Sequence, residues 1–400
     1  MNTRSLRALL GAALLFATVA AWGQGTVLPA LADVRQVEQY NFSIHILAML
    51  LVGFGFLMVF VKKYGYSATT GTYLVVAVGI PLYMFLRASG VIPGEKITAG
   101  TVESLLFAEF AAASGLIAMG AVLGRIRLYQ YALLALLLVP AYLLNEWLVL
   151  NNGLGLTKGF VDAAGSIIIH AFGAYFGLGL AIILTNRRHL GLSIDSDATS
   201  DRFAMLGSMV LWLFWPSFCS AIVPHAQVQA TLVNTVLALS GATVSTFIFS
   251  SLFRKGKVSI ADMANAALAG GVSIGATCNI VAPGVAFVIG LLAGTLCTIG
   301  YVFIQPKLEA KLHLVDTCGV HNLHGMPGLL GGLIAIVVVP GIATPQLIGI
   351  VITVAIALIT GIIGGVIIKV TGQKQSAYED DEFLGAEPSV ELPSVTEQLA

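Results

Sequence analysis

The stretch VDTCGVHNLHGMPGLLGG, residues 315–332, places two histidines at the start of a long apolar run. A run of this length indicates a membrane helix, in which a polar side chain is costly to bury. A second stretch, DAAGSIIIH at residues 162–170, has the same pattern: an aspartate begins an apolar helix and a histidine follows eight residues later. Glycine follows each histidine closely, at Gly173 and Gly325. The chain is therefore expected to place two copies of one motif, each with a histidine, inside a membrane.

Composition indicates a polytopic membrane protein. Hydrophobic residues make up 57% of the 400 residues, charged residues only 10%, and the mean hydropathy is +0.92. Soluble domains carry roughly 25% charged residues. The formal net charge is zero and no basic patch occurs, which argues against a nucleic-acid partner. The four cysteines lie in apolar stretches and are interpreted as small buried hydrophobes, so neither a disulfide framework nor a metal site is expected.

Apolar runs of spanning length, about 20 residues each, recur along the chain. Eleven membrane helices are predicted, at residues 42–61, 69–88, 102–124, 129–150, 162–185, 203–224, 228–252, 259–279, 282–304, 316–339 and 345–370. The Gly- and Ala-rich region 259–304 is the most difficult to divide.

The distribution of Lys and Arg predicts the orientation. With eleven helices, fourteen of these residues fall on one side of the membrane and four, Arg35, Arg87, Lys96 and Lys158, on the other. Basic residues favour the cytoplasmic side. The sequence therefore predicts a mature N-terminus outside and a C-terminus in the cytoplasm.

Both ends of the chain differ from the membrane domain predicted between them at 25–371. Residues 1–24 carry Arg4 and Arg7, a short apolar run and then small residues, which is typical of a cleaved signal peptide; an uncleaved anchor is the alternative. Residues 372–400 form a polar, acidic tail that is expected to be cytoplasmic. This tail either docks on the cytoplasmic face or binds a regulator, or it is simply solvated.

The repeated motif predicts inverted repeats. By the helix count, the two copies begin helices five and ten, so that five helices separate them and they enter the membrane from opposite sides. Two inverted halves, helices 1–5 and 6–10, place a site near the midplane where they meet, and the eleventh helix is an addition. The fold class is thus all-α, with two inverted five-helix repeats plus one helix.

Spacing within the motif distinguishes its members. Eight residues correspond to about 12 Å along a helix, which puts Asp162 and Asp316 near the membrane edges and His170 and His324 near its middle. The aspartates are interpreted mainly as structural helix caps. The two histidines are predicted to face each other and share a hydrogen bond in a pore for a small polar solute. His321, three residues before His324, is a possible inner pathway residue.

Two other classes of protein use membrane histidines. An ion-coupled secondary transporter also has inverted repeats, but it usually carries a movable acidic residue or unwound helices, and aspartates at helix ends suit that role poorly. A membrane metalloenzyme or haem protein needs further ligands, and neither an H-E-x-x-H motif nor a third ligand near the histidines is visible. No cofactor is therefore expected.

Several stretches closely resemble the Rhesus (Rh) glycoproteins, one branch of the ammonium transporter superfamily. They are DAAGSIIIHAFGAYFGLGLA, NEWL, LWLFWPSFCSAI, NAALAGGVSIGA and the opening stretch. The resemblance extends from the first helix into the start of the tail. Length and the N-terminal pattern suggest a bacterial member in the inner membrane.

The resemblance implies a homotrimer in which each eleven-helix subunit contains one narrow hydrophobic pore. His170 and His324 match the family's twin histidines. Phe110 and Phe218 match two stacked phenylalanines that gate the pore from outside. Asp162 matches a buried carboxylate near the outer recruitment site, with a structural and electrostatic role.

Two positions depart from the ammonium-transporter branch. Leu150 stands where that branch has a tryptophan that offers a cation–π face to ammonium. Ile222 stands where it has a serine four residues after the inner gate phenylalanine. The resemblance therefore implies a weaker, channel-like conductor without the high-affinity cation site.

The magnitude of desolvation favours ammonia over ammonium inside the pore. Moving a bare ion into a dry interior has an idealised Born cost on the order of 20 kcal/mol, and still several kcal/mol after relaxation. Desolvation also promotes loss of a proton from a cationic acid. Ammonium is therefore expected to deprotonate near the gate and cross as ammonia, and the same pore suits carbon dioxide as an alternative substrate.

Overall fold

The computed structural model describes residues 34–94, 98 and 100–383. Regular structure in these residues is entirely helical. The predicted signal peptide and residues 384–400 of the predicted tail lie outside the described residues.

Ten helices in the described part of the chain are long and apolar enough to cross a membrane, and one further apolar helix is shorter. In chain order the helices are α1 Arg35–Phe60, α2 Gly65–Ser89, α3 Val102–Ala121, α4 Leu128–Val149, α5 Ser166–Leu184, α6 Ala198–Ser220, α7 His225–Phe253, α8 Ile260–Ile274, α9 Pro283–Leu312, α10 His321–Val338 and α11 Ala343–Val370. The prediction of an all-α, eleven-helix membrane protein is confirmed.

Helix α8 is the short one, and it differs from the predicted span 259–279. It consists of two helical pieces, Ile260–Ala266 and Ala269–Ile274. Its glycines explain the tight packing: a Cβ on Gly270 would lie 2.1 Å from the Ala238 carbonyl oxygen of α7. Residues 275–280, which follow these pieces, are turns, so α8 crosses between its neighbours with fewer helical residues than predicted.

Helix α3 occupies the centre of the molecule. Almost every side chain from Leu106 to Ala121 is buried, including small residues that allow other helices to approach closely. Thr101 caps the helix by accepting a hydrogen bond from the Ser104 backbone N–H at 3.1 Å. In contrast, α11 leaves large apolar residues such as Val351 and Ile359 exposed, as expected for a helix that faces lipid.

The two halves meet through α5 and α10. Gly328 of α10 lies so close to α5 that an added Cβ would sit 2.4 Å from the Ser166 carbonyl oxygen. The added helix α11 packs on α5 in the same way, since a Cβ on Gly361 would sit 2.3 Å from the Phe176 carbonyl oxygen. These close approaches place the histidine-bearing helix α5 between its repeat partner and α11.

Connections between helices define two faces. The face that carries the α1–α2, α3–α4, α5–α6, α7–α8 and α9–α10 connections is called the basic face, because most of the Lys and Arg residues lie there. The other is called the opposite face.

On the basic face, residues 372–383, called the tail segment, fold back onto the helix ends. The Tyr378 N–H donates to the Gly124 carbonyl at 2.9 Å, and the Asp380 carboxylate accepts from Tyr66 and Ser67.

Candidate functional site

Each repeated histidine lies in a widened, π-helical turn that begins after a glycine. Gly165 (φ 79°) precedes the π turn Ser166–Ala171, and Gly319 (φ 66°) precedes the π turn His321–Gly325. Glycine adopts this left-handed conformation without a steric penalty. A π turn inserts one extra residue into a helix and frequently marks a functional site. The shared motif is thus D-x2-G-x4-H, and its glycine is a signal that the sequence analysis missed.

The two aspartates cap these turns. Asp162 accepts hydrogen bonds from the backbone N–H groups of Ile167 and Ile168, at 3.0 and 2.8 Å. Asp316 accepts from Val320 and His321, both at 3.0 Å. Both carboxylates therefore satisfy N–H groups that a helix start leaves unpaired. This geometry agrees with their interpretation as structural caps.

His170 and His324 lie against each other in the interior. Their Nδ1 atoms are 3.2 Å apart, the ring centroids are 5.3 Å apart, and the ring planes differ by only 12°. One Nδ1 must carry a hydrogen and the other accept it, so each ring fixes the tautomer of its partner. The Nε2 atom of His170 is buried, and none of the described residues is its hydrogen-bond partner. It is free to hydrogen-bond a small solute.

Aromatic rings enclose the histidine pair. Trp215 stacks on His170 with centroids 5.5 Å apart and planes 21° apart, and Phe54 lies 6.2 Å from His324. Trp215 fits because a glycine faces it: a Cβ on Gly271 of α8 would lie 2.5 Å from the indole ring. The pair is thus the polar centre of an apolar, aromatic wall.

Phe110 and Phe218 form a ring pair on the side of His170 toward the opposite face. Their centroids are 4.7 Å apart with an interplanar angle of 63°, and Phe218 lies 5.9 Å from His170. The arrangement is edge-to-face rather than the stacked pair that the resemblance implies, which brings the positive edge of one ring to the negative face of the other. Both phenylalanines are almost completely buried.

An apolar cavity of about 30 Å³ lies beyond His324, on the side toward the basic face. This volume is large enough for a solute of the size of water, which needs roughly 10–15 Å³ of such space. Its lining includes Phe54, Leu57, Met58, Phe60, Leu116, Ile117, Gly120, Asn265, Cys318, Val320, Leu323 and His324. The order from the opposite face is therefore ring pair, histidine pair and apolar cavity.

The remaining predicted site residues lie away from this row. Leu150 caps the end of α4 and is 42% exposed, while Ile222 follows the end of α6 and is partly buried in the core. His321 packs edge-on against Tyr175, with centroids 5.7 Å apart, and its buried Nδ1 has no hydrogen-bond partner in the part of the chain that the structure describes. It is not among the residues that line the cavity beyond His324.

Sequence reasoning missed two buried acidic side chains. Glu109 lies within α3, fully buried beside Phe110, and accepts a hydrogen bond from Ser43. Glu146 of α4 pairs with Arg87 at 3.5 Å and accepts from the Tyr83 hydroxyl at 3.0 Å. An ionisable residue inside an apolar membrane span indicates a functional site. Glu109 and Glu146 both lie inside such spans, so the sequence alone could have identified them.

Two inverted five-helix halves with paired histidines at their junction define a polytopic membrane protein of the transporter and channel class. Residues 33–387 match the model of the Ammonium Transporter Family, and the chain belongs to this family. The solved structure of Nitrosomonas europaea Rh50 has a TM-score of 0.90 and 64% sequence identity, and covers 92% of this chain and 97% of that one. This neighbour is a bacterial Rh protein, so the predicted resemblance to a bacterial Rh member is confirmed.

Curated relatives are also Rh-type. Ammonium transporter Rh type B of Xenopus tropicalis is 42% identical over 298 residues, which is 72% of this chain but 63% of that protein. Ammonium transporter Rh type C of Homo sapiens is 35% identical over 403 residues, covering 91% of this chain and 82% of the relative. The match to the Xenopus protein thus spans less than two thirds of its length.

Proposed function

We propose that this chain is an Rh-type channel that conducts ammonia through the row of ring pair, histidine pair and cavity. The observation that carries the proposal is the 3.2 Å contact between His170 Nδ1 and His324 Nδ1 inside an otherwise apolar wall. Relatives named ammonium transporters, and a neighbour described in terms of conduction by the Rhesus family of channels, support the substrate class.

Ammonium transfers its proton to external water on the outer side of the ring pair, so that only ammonia reaches the histidine pair. The wall around the pair is built from aromatic and aliphatic side chains, and a cation there would lose most of its hydration without compensation. Neutral ammonia needs only hydrogen-bond partners. His170 Nε2, which is buried and has no hydrogen-bond partner among the described residues, supplies such a partner next to the ring pair.

The ring pair serves as the outer gate. Phe110 and Phe218 are in contact, so a solute passes only when a ring moves aside. When the ring returns to its place after a solute has passed, the contact closes again and keeps water out. The path inside the gate therefore stays dry and excludes ions.

The setting of the channel belongs to the same proposal. The basic face is cytoplasmic, in accordance with the excess of Lys and Arg, and the opposite face is external. The chain resides in a bacterial inner membrane as a homotrimer after removal of an N-terminal signal peptide. The acidic tail remains a candidate for contact with a cytoplasmic regulator.

Purified protein in liposomes loaded with a pH-sensitive dye tests the proposal. After an ammonium gradient is imposed, wild type should alkalinise the lumen faster than empty liposomes, without a membrane current. His170→Ala and His324→Ala should each reduce the protein-dependent rate at least about tenfold. Each variant removes a hydrogen-bond partner of ammonia at the barrier to passage, and about 1.4 kcal/mol or more of barrier height corresponds to that factor. His225→Gln is the matched control, because His225 is exposed on the opposite face, outside the row.

Three outcomes oppose the proposal. A current proportional to the ammonium flux would replace neutral conduction by net charge transfer. Unchanged rates in both histidine variants would remove the pair from the path. No rate above empty liposomes would exclude ammonia, and acidification by a carbon dioxide gradient would then test the alternative substrate.

A further inference from the structure

Helix α1 bonds to the residue that precedes each gate phenylalanine. The Ser43 hydroxyl donates to Glu109 Oε1 at 2.6 Å, and His45 Nδ1 lies 2.8 Å from Ser217 Oγ. Glu109 directly precedes Phe110 in α3, and Ser217 directly precedes Phe218 in α6. Two side chains, two residues apart on one helix, therefore hold the two helices that carry the gate.

The bond to α3 lies in a dry environment. Ser43 is 2% exposed and Glu109 is fully buried. Within residues 34–94, 98 and 100–383, Glu109 Oε2 has no hydrogen-bond partner, so Ser43 is the partner that the structure gives this carboxyl group. A hydrogen bond is stronger in such surroundings than in water, because water cannot compete for either group.

The bond to α6 is reinforced by ring contact. His45 stacks on Phe214 of α6, with centroids 4.8 Å apart and planes 22° apart. Further toward the opposite face, Arg35 Nη2 donates to the carbonyls of Ala221 and Val223, which follow α6. Helix α1 thus follows α6 along the gate and beyond it.

We propose that Ser43 and His45 are positioning residues that set the separation of Phe110 and Phe218, and with it the largest amine that passes the gate. This inference rests on the proposed function, in which the ring pair is the gate. Ring centroids only 4.7 Å apart leave little free space, so a small separation of α3 and α6 changes access for a solute one methyl group larger than ammonia. Methylamine is that solute.

Loss of the two bonds should relax size selectivity. Ser43→Ala removes the first donor, and His45→Phe removes Nδ1 while keeping a ring on Phe214. The double variant should raise the methylamine-to-ammonia rate ratio at least about threefold in the liposome assay. Glu109→Gln should keep the wild-type ratio, since an amide still bonds Ser43. Ser240→Ala is the control, because Ser240 Oγ donates to the Val236 carbonyl within its own helix.

A gateless background separates positioning of the gate from general loosening. In a Phe110→Ala, Phe218→Ala protein the double variant should leave the ratio unchanged, because no rings remain to be positioned. An equal rise on both backgrounds would overturn the proposal. The proposal would also be overturned if the Ser43→Ala, His45→Phe variant with both phenylalanines present kept the wild-type methylamine-to-ammonia ratio and unfolded at the wild-type temperature.

A spectroscopic readout makes the test independent of transport. A fluorine label on the ring of Phe110 or Phe218 reports its surroundings in a ¹⁹F NMR spectrum of the detergent-solubilised protein. Both resonances should shift in Ser43→Ala, His45→Phe and remain in place in Ser240→Ala. Unshifted resonances would overturn the positioning role even if ammonia proved the wrong substrate, whereas shifted resonances with no ammonia flux would refute only the proposed function.

Discussion

Asp162 and Asp316 cap equivalent turns but use their oxygens differently. In Asp162, one oxygen, Oδ2, accepts both backbone hydrogen bonds, and Oδ1 is buried with no hydrogen-bond partner among the residues described. In Asp316, each oxygen accepts one bond, from Val320 and from His321. An asparagine side chain has a single acceptor oxygen, so the repeat offers an internal comparison of the two caps.

Asp316→Asn should therefore destabilise the protein more than Asp162→Asn. At position 162 the amide oxygen can occupy the Oδ2 site and keep both bonds, while the amide nitrogen takes the Oδ1 site, where no backbone hydrogen bond is lost. At position 316 the amide nitrogen must face a backbone N–H, which loses one bond and leaves a buried donor unsatisfied, at about 1–3 kcal/mol. Thermal unfolding of the detergent-solubilised proteins measures the difference. Equal losses, or a larger loss for Asp162→Asn, would contradict this interpretation of the caps.

At the scale of elements, the tail segment joins the basic face through helix N-termini. The Asp380 carboxylate accepts from the Tyr66 and Ser67 N–H groups at the start of α2, and Glu382 accepts from the Leu128 N–H at the start of α4. Negative charge is favourable at such ends because of the helix dipole. Tyr378 is held between these contacts, and burial raises the pKa of its phenol. The tail segment therefore docks on the basic face through contacts with the starts of α2 and α4.

Asp380→Ala should release the tail segment locally without unfolding the membrane helices. Loss of a capping carboxylate costs about 0.5–2 kcal/mol, which raises the open fraction of the segment roughly 2- to 30-fold. Hydrogen exchange of residues 372–383 and of the first turn of α2 should accelerate accordingly, with exchange in α3 unchanged. Glu379→Ala removes a neighbouring charge outside this contact and is the control. Equal acceleration in both variants would attribute the effect to net charge.

Sequence patterns predict some of these elements and not others. Apolar length locates the membrane helices, and the D-x7-H repeat predicts that His170 and His324 meet, because both depend on local periodicity. The interruption of α8 at Ala267 and Leu268 lies next to Gly270, where α7 approaches the backbone closely. A contact between two helices cannot be predicted from the local sequence of one of them. Phe110 and Phe218 entered only through family resemblance, since core packing explains a phenylalanine equally well. The bonds from Ser43 and His45 join residues far apart in the chain and required the structure.

At the scale of the whole molecule, the short helix α8 links the two halves. Ser166, at the start of α5, donates to the Val272 carbonyl at 2.7 Å and accepts from the Ala276 N–H at 2.7 Å. Ser273 of α8 donates to the Pro327 carbonyl of α10 at 2.7 Å. All these groups are deeply buried. One interrupted helix thus fixes α5 and α10, and with them the distance between the two histidines.

The two serine links should contribute unequally to stability. Ser166→Ala leaves the Ala276 N–H buried with no acceptor, and an unsatisfied buried donor costs about 1–3 kcal/mol. Ser273→Ala removes a donor from the Pro327 carbonyl, which lies at the start of the α-helical part of α10, Met326–Val338. That carbonyl retains the helix's own partner four residues on, so the loss should stay at about 0.5–1.5 kcal/mol. Thermal unfolding should rank Ser166→Ala below Ser273→Ala, with Ser240→Ala close to wild type. If Ser273→Ala proved the less stable, the link from α8 to α10 rather than to α5 would dominate the junction, and the spacing of His170 and His324 would depend on the second half of the molecule.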